Sequence, residues 1–364
     1  MKRQSNIELL RIVAMVFIIA HHYALHGGIY YNTTDNIISA TFLVALGKLG
    51  VNLFVLITGY FMINSSFRIM RIIRLEIAVL FYSIGMFLIA VFVIDCETIT
   101  FLTVKGSLLS TLMNNDLYYW FIPCYMGVLL LSPFINKVIC CLSRKQFEVL
   151  LTILFVMIGL IPSVLFSKPW YDGNMFVFVL LYLAGGYIRK YNIGIYRISN
   201  KFILPISAFL YMTVMMLTIF IRSRADLFSA YGIWPERLWE CASVFIILLS
   251  ILIFIFFKRL NVKHSPIINT ISSATIGVYL LHDNTYSRMY IWKNIFHTER
   301  YINSDCMVFH AIFCIIIVFA IGTLVELLRA KILKPFIKRL EETEIVGKID
   351  SWMDLSGYNN AVEK

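Results

Sequence analysis

Charge is scarce in this 364-residue chain. Asp, Glu, Lys and Arg make up 15% of it against 60% hydrophobic residues, and the mean hydropathy is +0.80. Soluble domains carry roughly a quarter charged residues, so there is too little polar surface here to wrap a water-soluble core. Proline is also sparse, at 8 residues, and with so apolar a composition collagen-like and disordered classes fall away. The seven cysteines (Cys96, Cys124, Cys140, Cys141, Cys241, Cys306, Cys314) show no CxxC or metal-ligand spacing. Most lie in apolar stretches, where a thiol behaves as a small hydrophobe, so they point neither to a disulfide framework nor to a metal. No period of 20–50 residues recurs, and the two halves share no pair of Gly/Pro-broken segments, which counts against inverted-repeat transporters. The first apolar run ends in His21-His22 and lacks a small-residue cleavage site, so it reads as a span and not a removable signal.

Long hydrophobic runs are what the chain does have. A bilayer core needs about 20 mostly apolar residues per helix, and ten runs qualify, near 7–26, 41–63, 76–94, 118–136, 147–166, 174–188, 202–220, 240–257, 267–282 and 306–328. The sixth and ninth are short. The stretch 98–113 is amphipathic and suits the interface or a dip from outside. With the N-terminus placed in the cytoplasm, 22 of the 32 Lys and Arg fall on the inner side and 8 on the outer, and only Arg11 and Lys48 lie within spans. That asymmetry follows the positive-inside rule with both termini cytoplasmic. It also accounts for most of the net charge of +11 without a nucleic-acid partner. The expected fold is all-α: a polytopic integral membrane protein of about ten transmembrane helices, with one transmembrane domain over 1–336 and a cytoplasmic tail over 337–364.

Ionisable groups at membrane depth are expensive and are therefore functional candidates. The first span holds most of them: Glu8, Arg11, His21 and His22, with His26 at its outer end. Arg11 and His22 are eleven residues apart, about 1100° of helix, or three turns plus about 20°, so both lie on one face, separated by about 16.5 Å. Arg11 then sits near the inner leaflet and His22 in the outer half; His21 points about 100° away. A lone Arg or His near a span end would snorkel to the headgroups. Two stacked on one inward face favour function. The second span contributes Lys48 and Asn52, and Gly50, Thr58 and Gly59 would let another helix approach closely. Arg68, Arg71 and Arg74 follow at a spacing of three, a ridge of guanidiniums suited either to phosphates or to lipid headgroups. The ninth span ends Tyr279-Leu-Leu-His282-Asp283, which puts a second histidine at its outer end. His264, His297 and His310 read as loop or interface residues. Five of the six tryptophans (Trp120, Trp170, Trp234, Trp239, Trp292) lie near outer span ends, as a one-sided aromatic belt or as rings for stacking on sugar.

Taken together these residues resemble the membrane acyltransferase family 3, whose members O-acylate cell-surface polysaccharides. The opening Ile7-Glu-Leu-Leu-Arg11 and the ten residues between Arg11 and His22 match the family's start and its basic-x10-His motif. Gly50-Val-Asn-Leu-Phe54-Val55-Leu-Ile-Thr58-Gly59-Tyr60 is similar to its Phe-Phe-x-x-Ser-Gly element, with Val55 for one Phe and Thr58 keeping the hydroxyl of the Ser. Arg71-Ile-Ile-Arg74 fits its Arg-x-x-Arg motif, and Tyr119-Trp120-Phe121 and Tyr279-Leu-Leu-His282 look like its fourth- and ninth-helix signatures. The resemblance implies a multi-pass protein of the cell membrane that takes an acyl group, most often acetyl, from cytoplasmic acyl-CoA to a glycan hydroxyl outside. A metal is not implied. Lipid surrounds the protein, and polysaccharide assembly machinery is a candidate partner.

In that reading His22 is the general base or the transient acyl carrier, roles an imidazole titrating near about 6.5 suits. Arg11 orients the site or stabilises charge on the donor. Arg71, Arg74 and Arg68 bind the acyl-CoA, and His282, Asn52, Thr58 and Trp120 supply a second acid/base or the acceptor pocket. The rival reading is a transporter or flippase of a glycan precursor, with His22, Arg11 and His282 along a polar path. It leaves the arginine ridge unexplained.

Overall fold

The computed structural model describes residues 3–94, 97, 99–109, 119–165, 174–191 and 199–353. Among them there is no strand. The helices in chain order are α1 (Ser5–His26), the short α2 (Ile29–Asn32), α3 (Ile37–Met62), α4 (Ile69–Phe92), α5 (Phe101–Leu108), α6 (Phe121–Cys141) and α7 (Arg144–Phe155), which continues through a π-turn into α8 (Ile161–Leu165). They are followed by α9 (Met175–Tyr191), α10 (Asn200–Ser223), α11 (Ala225–Ala230), α12 (Val244–Arg259), α13 (Pro266–Ser273), α14 (Thr275–His282), α15 (Thr285–Met289), α16 (Met307–Glu341) and α17 (Glu344–Trp352).

Seven of these are long and apolar enough to cross a membrane: α1, α3, α4, α6, the continuous Arg144–Leu165 rod, α10 and α16. The other three expected spans are helical but shorter. α9 has 17 residues, α12 has 16, and the ninth run is split into α13 and α14, of 8 residues each. The split falls at Ala274. A break at membrane depth is tolerated where protein or a cavity covers the freed backbone. Here Ala274 is buried, and Thr275 Oγ1 donates to Ser272 O at 2.9 Å.

α3 is the hub, packed against α1, α9, α12 and α10. Without a hydrophobic drive between helices in lipid, close approach depends on small residues. A Cβ on Gly50 would stand 2.4 Å from Ala14 O, one on Gly59 2.0 Å from Tyr182 O, and one on Gly185 2.2 Å from Leu56 O. α1 and α9 therefore lie backbone-to-backbone on α3, as the small residues of the second span suggest. Asn52 is fully buried and its Nδ2 donates to Cys241 O at 3.0 Å, tying α3 to the start of α12.

α16 continues unbroken past 336 to Glu341, and α17 then folds back on α4. There Asp350 Oδ1 accepts from Ile69 N at 2.6 Å, and Asp350 Oδ2 pairs with Arg68 at 3.9 Å. Of the outer tryptophans, Trp170 lies outside the described residues. Trp239 and Trp292 are buried in the core, so neither offers a ring face to an outside sugar. Trp234 is exposed, and Trp120 lines a cavity.

Candidate active site

Among the described residues a histidine-lined cavity and an arginine-lined cavity lie between the helices, and Ile276 lines both. The break at Ala274 sets this residue in the first turn of α14.

The histidine site, at the end of the bundle expected from the charge asymmetry to face outward and so labelled outer, forms where α1 meets α14 and the turn after it. His282 Nδ1 lies 2.6 Å from Val278 O, one turn back on its own helix. A carbonyl only accepts, so that nitrogen carries a proton and the neutral ring presents a bare Nε2. His22 Nδ1 sits 2.9 Å from His282 Nε2 and must donate to it. The chain of bonds thus leaves the lone pair of His22 on Nε2, the atom a base or nucleophile needs. Beyond that atom, at 3.7 Å, is Asp283 Oδ1, which is 3.4 Å from His26 Nε2 and 2.9 Å from Arg288 Nε. Asp283 is 1% exposed, and a charge so buried persists only when paired. Arg288 pairs it in the resting state, and an imidazolium at His22 would do so after taking a proton.

The turn that carries Asp283 is itself fixed. Asn284 Nδ2 donates to Tyr119 Oη at 2.7 Å, Tyr119 Oη donates to Leu280 O at 2.6 Å, and Asn284 Oδ1 accepts from Tyr286 N at 3.0 Å, capping α15. His21 has a different task. Its Nδ1 donates to Val44 O at 2.6 Å, and its ring fills the space left by Gly47, where a Cβ would come within 2.3 Å. It ties α1 to α3.

His21 and His22 reach a narrow outer cavity of about 30 Å³ together with Lys48, Trp120, Phe54 and Tyr279. That is room for one or two waters. Lys48 Nζ stands 3.9 Å over the Trp120 ring.

The inner cavity is larger, about 420 Å³, and holds Arg11, Arg71, Arg74 and Thr58 with Tyr125, Glu326 and Arg329. Arg11 pairs with Glu8 at 3.3 Å, and Glu8 accepts from Ser272 Oγ at 2.5 Å. Arg71 rests on neutral oxygens, Ser65 Oγ at 2.5 Å and Ser66 O at 3.1 Å. Arg74 pairs with Glu341. Thr58 Oγ1 donates to Phe54 O at 2.9 Å and lies 3.0 Å from Tyr125 Oη. Glu326 grips Arg329 at 2.7 and 2.6 Å and accepts from Tyr82 Oη at 2.9 Å, in space left by Gly277. Arg329 is 7% exposed, and its Nη1 has no hydrogen-bond partner among the described residues.

A family model of the acyltransferase domain, that of acyltransferase family 3, matches residues 4–325. The chain belongs to this family. No curated protein and no solved structure is significantly similar to it. With its apolar helices it is a multi-pass membrane acyltransferase.

In this acyltransferase the residues singled out from sequence divide between the two cavities. Arg11, Arg71, Arg74 and Thr58 line the inner one, and His22 and Trp120 the outer one. His282 lies outside the cavity lining and is in hydrogen-bond contact with His22. Asn52 lines neither cavity and serves as a helix tie. Arg68 is the N-cap residue of α4, paired with Asp350 and 65% exposed at its side chain, and it does not line the cavity that Arg71 and Arg74 line.

The sequence reading gave no role to Lys48, Asp283, Arg288, Tyr125 or Glu326, and it counted Arg329 only among the basic residues of the cytoplasmic side. The available signal was a carboxylate and a guanidinium three apart in the last apolar run. His22, His26 and Asp283 also bring three potential metal-ligand atoms within 4.8 Å of one another. Arg288 already stands on the shared carboxylate oxygen, which favours an ion-paired imidazole over a metal there.

Proposed function

We propose that this acyltransferase moves an acetyl group from cytoplasmic acetyl-CoA to a hydroxyl of a cell-surface glycan. In this reading it lies in the cell membrane with ten crossings and both termini inside. The observation that carries the proposal is that Ile276 lines both cavities: guanidiniums line the wide one, and the narrow one is lined by His22, whose Nδ1 is engaged by His282.

The donor's phosphates suit Arg71 and Arg329, which offer charge-assisted, fork-shaped recognition. The pantetheine arm passes Ile276 and presents the thioester to His22. The acceptor hydroxyl, entering from outside, gives its proton to His22 Nε2 as its oxygen bonds to the thioester carbon. The carbonyl electrons move onto oxygen. When they return, the carbon–sulfur bond breaks, and the leaving thiolate takes the proton from His22. Asp283 faces the imidazolium in the interval and His282 keeps its Nδ1–H engaged, so the ring cannot flip. A cavity of about 30 Å³ favours a short acyl group.

The reading is tested by deleting the gene and comparing the purified surface glycan by NMR. Loss of O-acetyl resonances, restored by the wild-type gene and not by His22→Ala, supports it. An unchanged glycan, with no acetyl-CoA consumed by the purified protein, would favour transport of a glycan precursor.

A further inference from the structure

A tetrahedral intermediate places a full negative charge on the former carbonyl oxygen, and in a site this narrow and largely apolar that charge needs a donor aimed at it. The inference rests on the acyl-transfer reading above and asks which group supplies it.

The polar groups around the outer cavity can be eliminated one by one. His22 is committed at Nδ1 to His282, and its Nε2 handles the travelling proton. His21 donates from Nδ1 to Val44 O, so its neutral ring turns a lone pair and not a proton to other partners. Trp120 offers its ring face to Lys48, and Tyr279 Oη, buried without a hydrogen-bond partner among the described residues, is a neutral donor that can add one bond but brings no full positive charge to the oxyanion. Lys48 remains, the one cation in that lining.

Its placement argues for use. It sits in the middle of the hub helix α3, partly buried, and among the described residues it pairs with no carboxylate; its ammonium rests on the Trp120 ring at 3.9 Å. Contact with an aromatic face holds an ammonium without spending its hydrogen-bond donors, so they stay available to an oxygen.

We propose that Lys48 is a catalytic residue whose ammonium stabilises the oxyanion formed when the acceptor hydroxyl adds to the thioester. The Trp120 ring positions it. No further reactant is needed, because Lys48 keeps its proton throughout and only the hydrogen bond strengthens as charge develops.

The test uses the full chain purified in detergent, acetyl-CoA as donor and base-de-esterified surface glycan of the host cell as acceptor, with free coenzyme A thiol as readout. Lys48→Met and Lys48→Gln should each lower kcat about 100- to 1000-fold, with KM for acetyl-CoA and for the glycan within about twofold. Lys48→Arg, which keeps the charge, should recover at least about a tenth of the wild-type rate. Two neutral variants guard against one failing to fold. Variants within about threefold of wild-type kcat would overturn the proposal, as would a raised KM for the glycan at unchanged kcat, which would make Lys48 an acceptor-binding residue. If His22→Ala turns over at the wild-type rate in the same assay, the underlying reading falls and takes this one with it.

Discussion

The inner and outer cavities differ in kind. The inner one is wide and charged, and three of its four arginines are already matched by acids: Arg11 by Glu8, Arg74 by Glu341 and Arg329 by Glu326. The outer one is narrow and mostly apolar, with histidines in a fixed tautomer and a single ammonium. Interactions equal in ground and transition state set affinity, and only those that grow in the transition state set turnover. In the proposed reading the inner cavity binds and the outer cavity reacts, so substitutions should move KM at one and kcat at the other.

The largest effect belongs to His22. Replacing it with Ala should lower kcat about a thousandfold or more while KM for acetyl-CoA stays near the wild-type value; steady-state kinetics on the purified protein checks both. Ile276 offers a sharper cut between the regions. Ile276→Trp should close the passage and lower transfer about 100-fold, as misplacement of a reacting group does. Coenzyme A, which lacks the acyl group, should still bind with unchanged affinity by calorimetry. Next come the donor arginines. Arg329→Ala and Arg71→Ala each remove a charge-assisted contact worth about 1.5–3 kcal/mol, so each should raise KM for acetyl-CoA about 10- to 100-fold with kcat nearly constant. Arg68→Ala should do least. Its exposed pair with Asp350 is worth under about 1 kcal/mol, and KM should stay within about twofold.

The contrast between Arg68 and Arg71 also marks how far sequence carries the argument. Spacing placed three arginines on one ridge, and it could not reveal that α17 returns from the far end of the chain to set Asp350 against Arg68. The eleven-residue interval from Arg11 to His22 is a local helical property, and it was legible: the two residues reach the inner and outer cavities along one helix. Asp283 was less so, since its histidine partners, His22 and His26, come from α1, more than 250 residues away in sequence.

Arg329 was legible only as one of the basic residues on the cytoplasmic side; its inward pairing with Glu326 depends on the backbone gap at Gly277, which makes room for that carboxylate. The helical fold class and most spans follow from hydrophobic runs. The break at Ala274 has no Pro or Gly at that position to announce it, and it bears directly on the site because it sets Ile276 between the cavities.

The central claim is that a donor taken up at the cytoplasmic arginine cavity reacts on the outer side at His22. It is tested most directly in sealed proteoliposomes with the cytoplasmic face outward and de-esterified glycan enclosed in the lumen. Adding acetyl-CoA labelled with ¹³C in its acetyl group to the outside should place the label as an ester on lumenal glycan, with none in His22→Ala vesicles. Unlabelled lumenal glycan while wild-type protein consumes the donor, or labelling only when the donor too is enclosed, would contradict it.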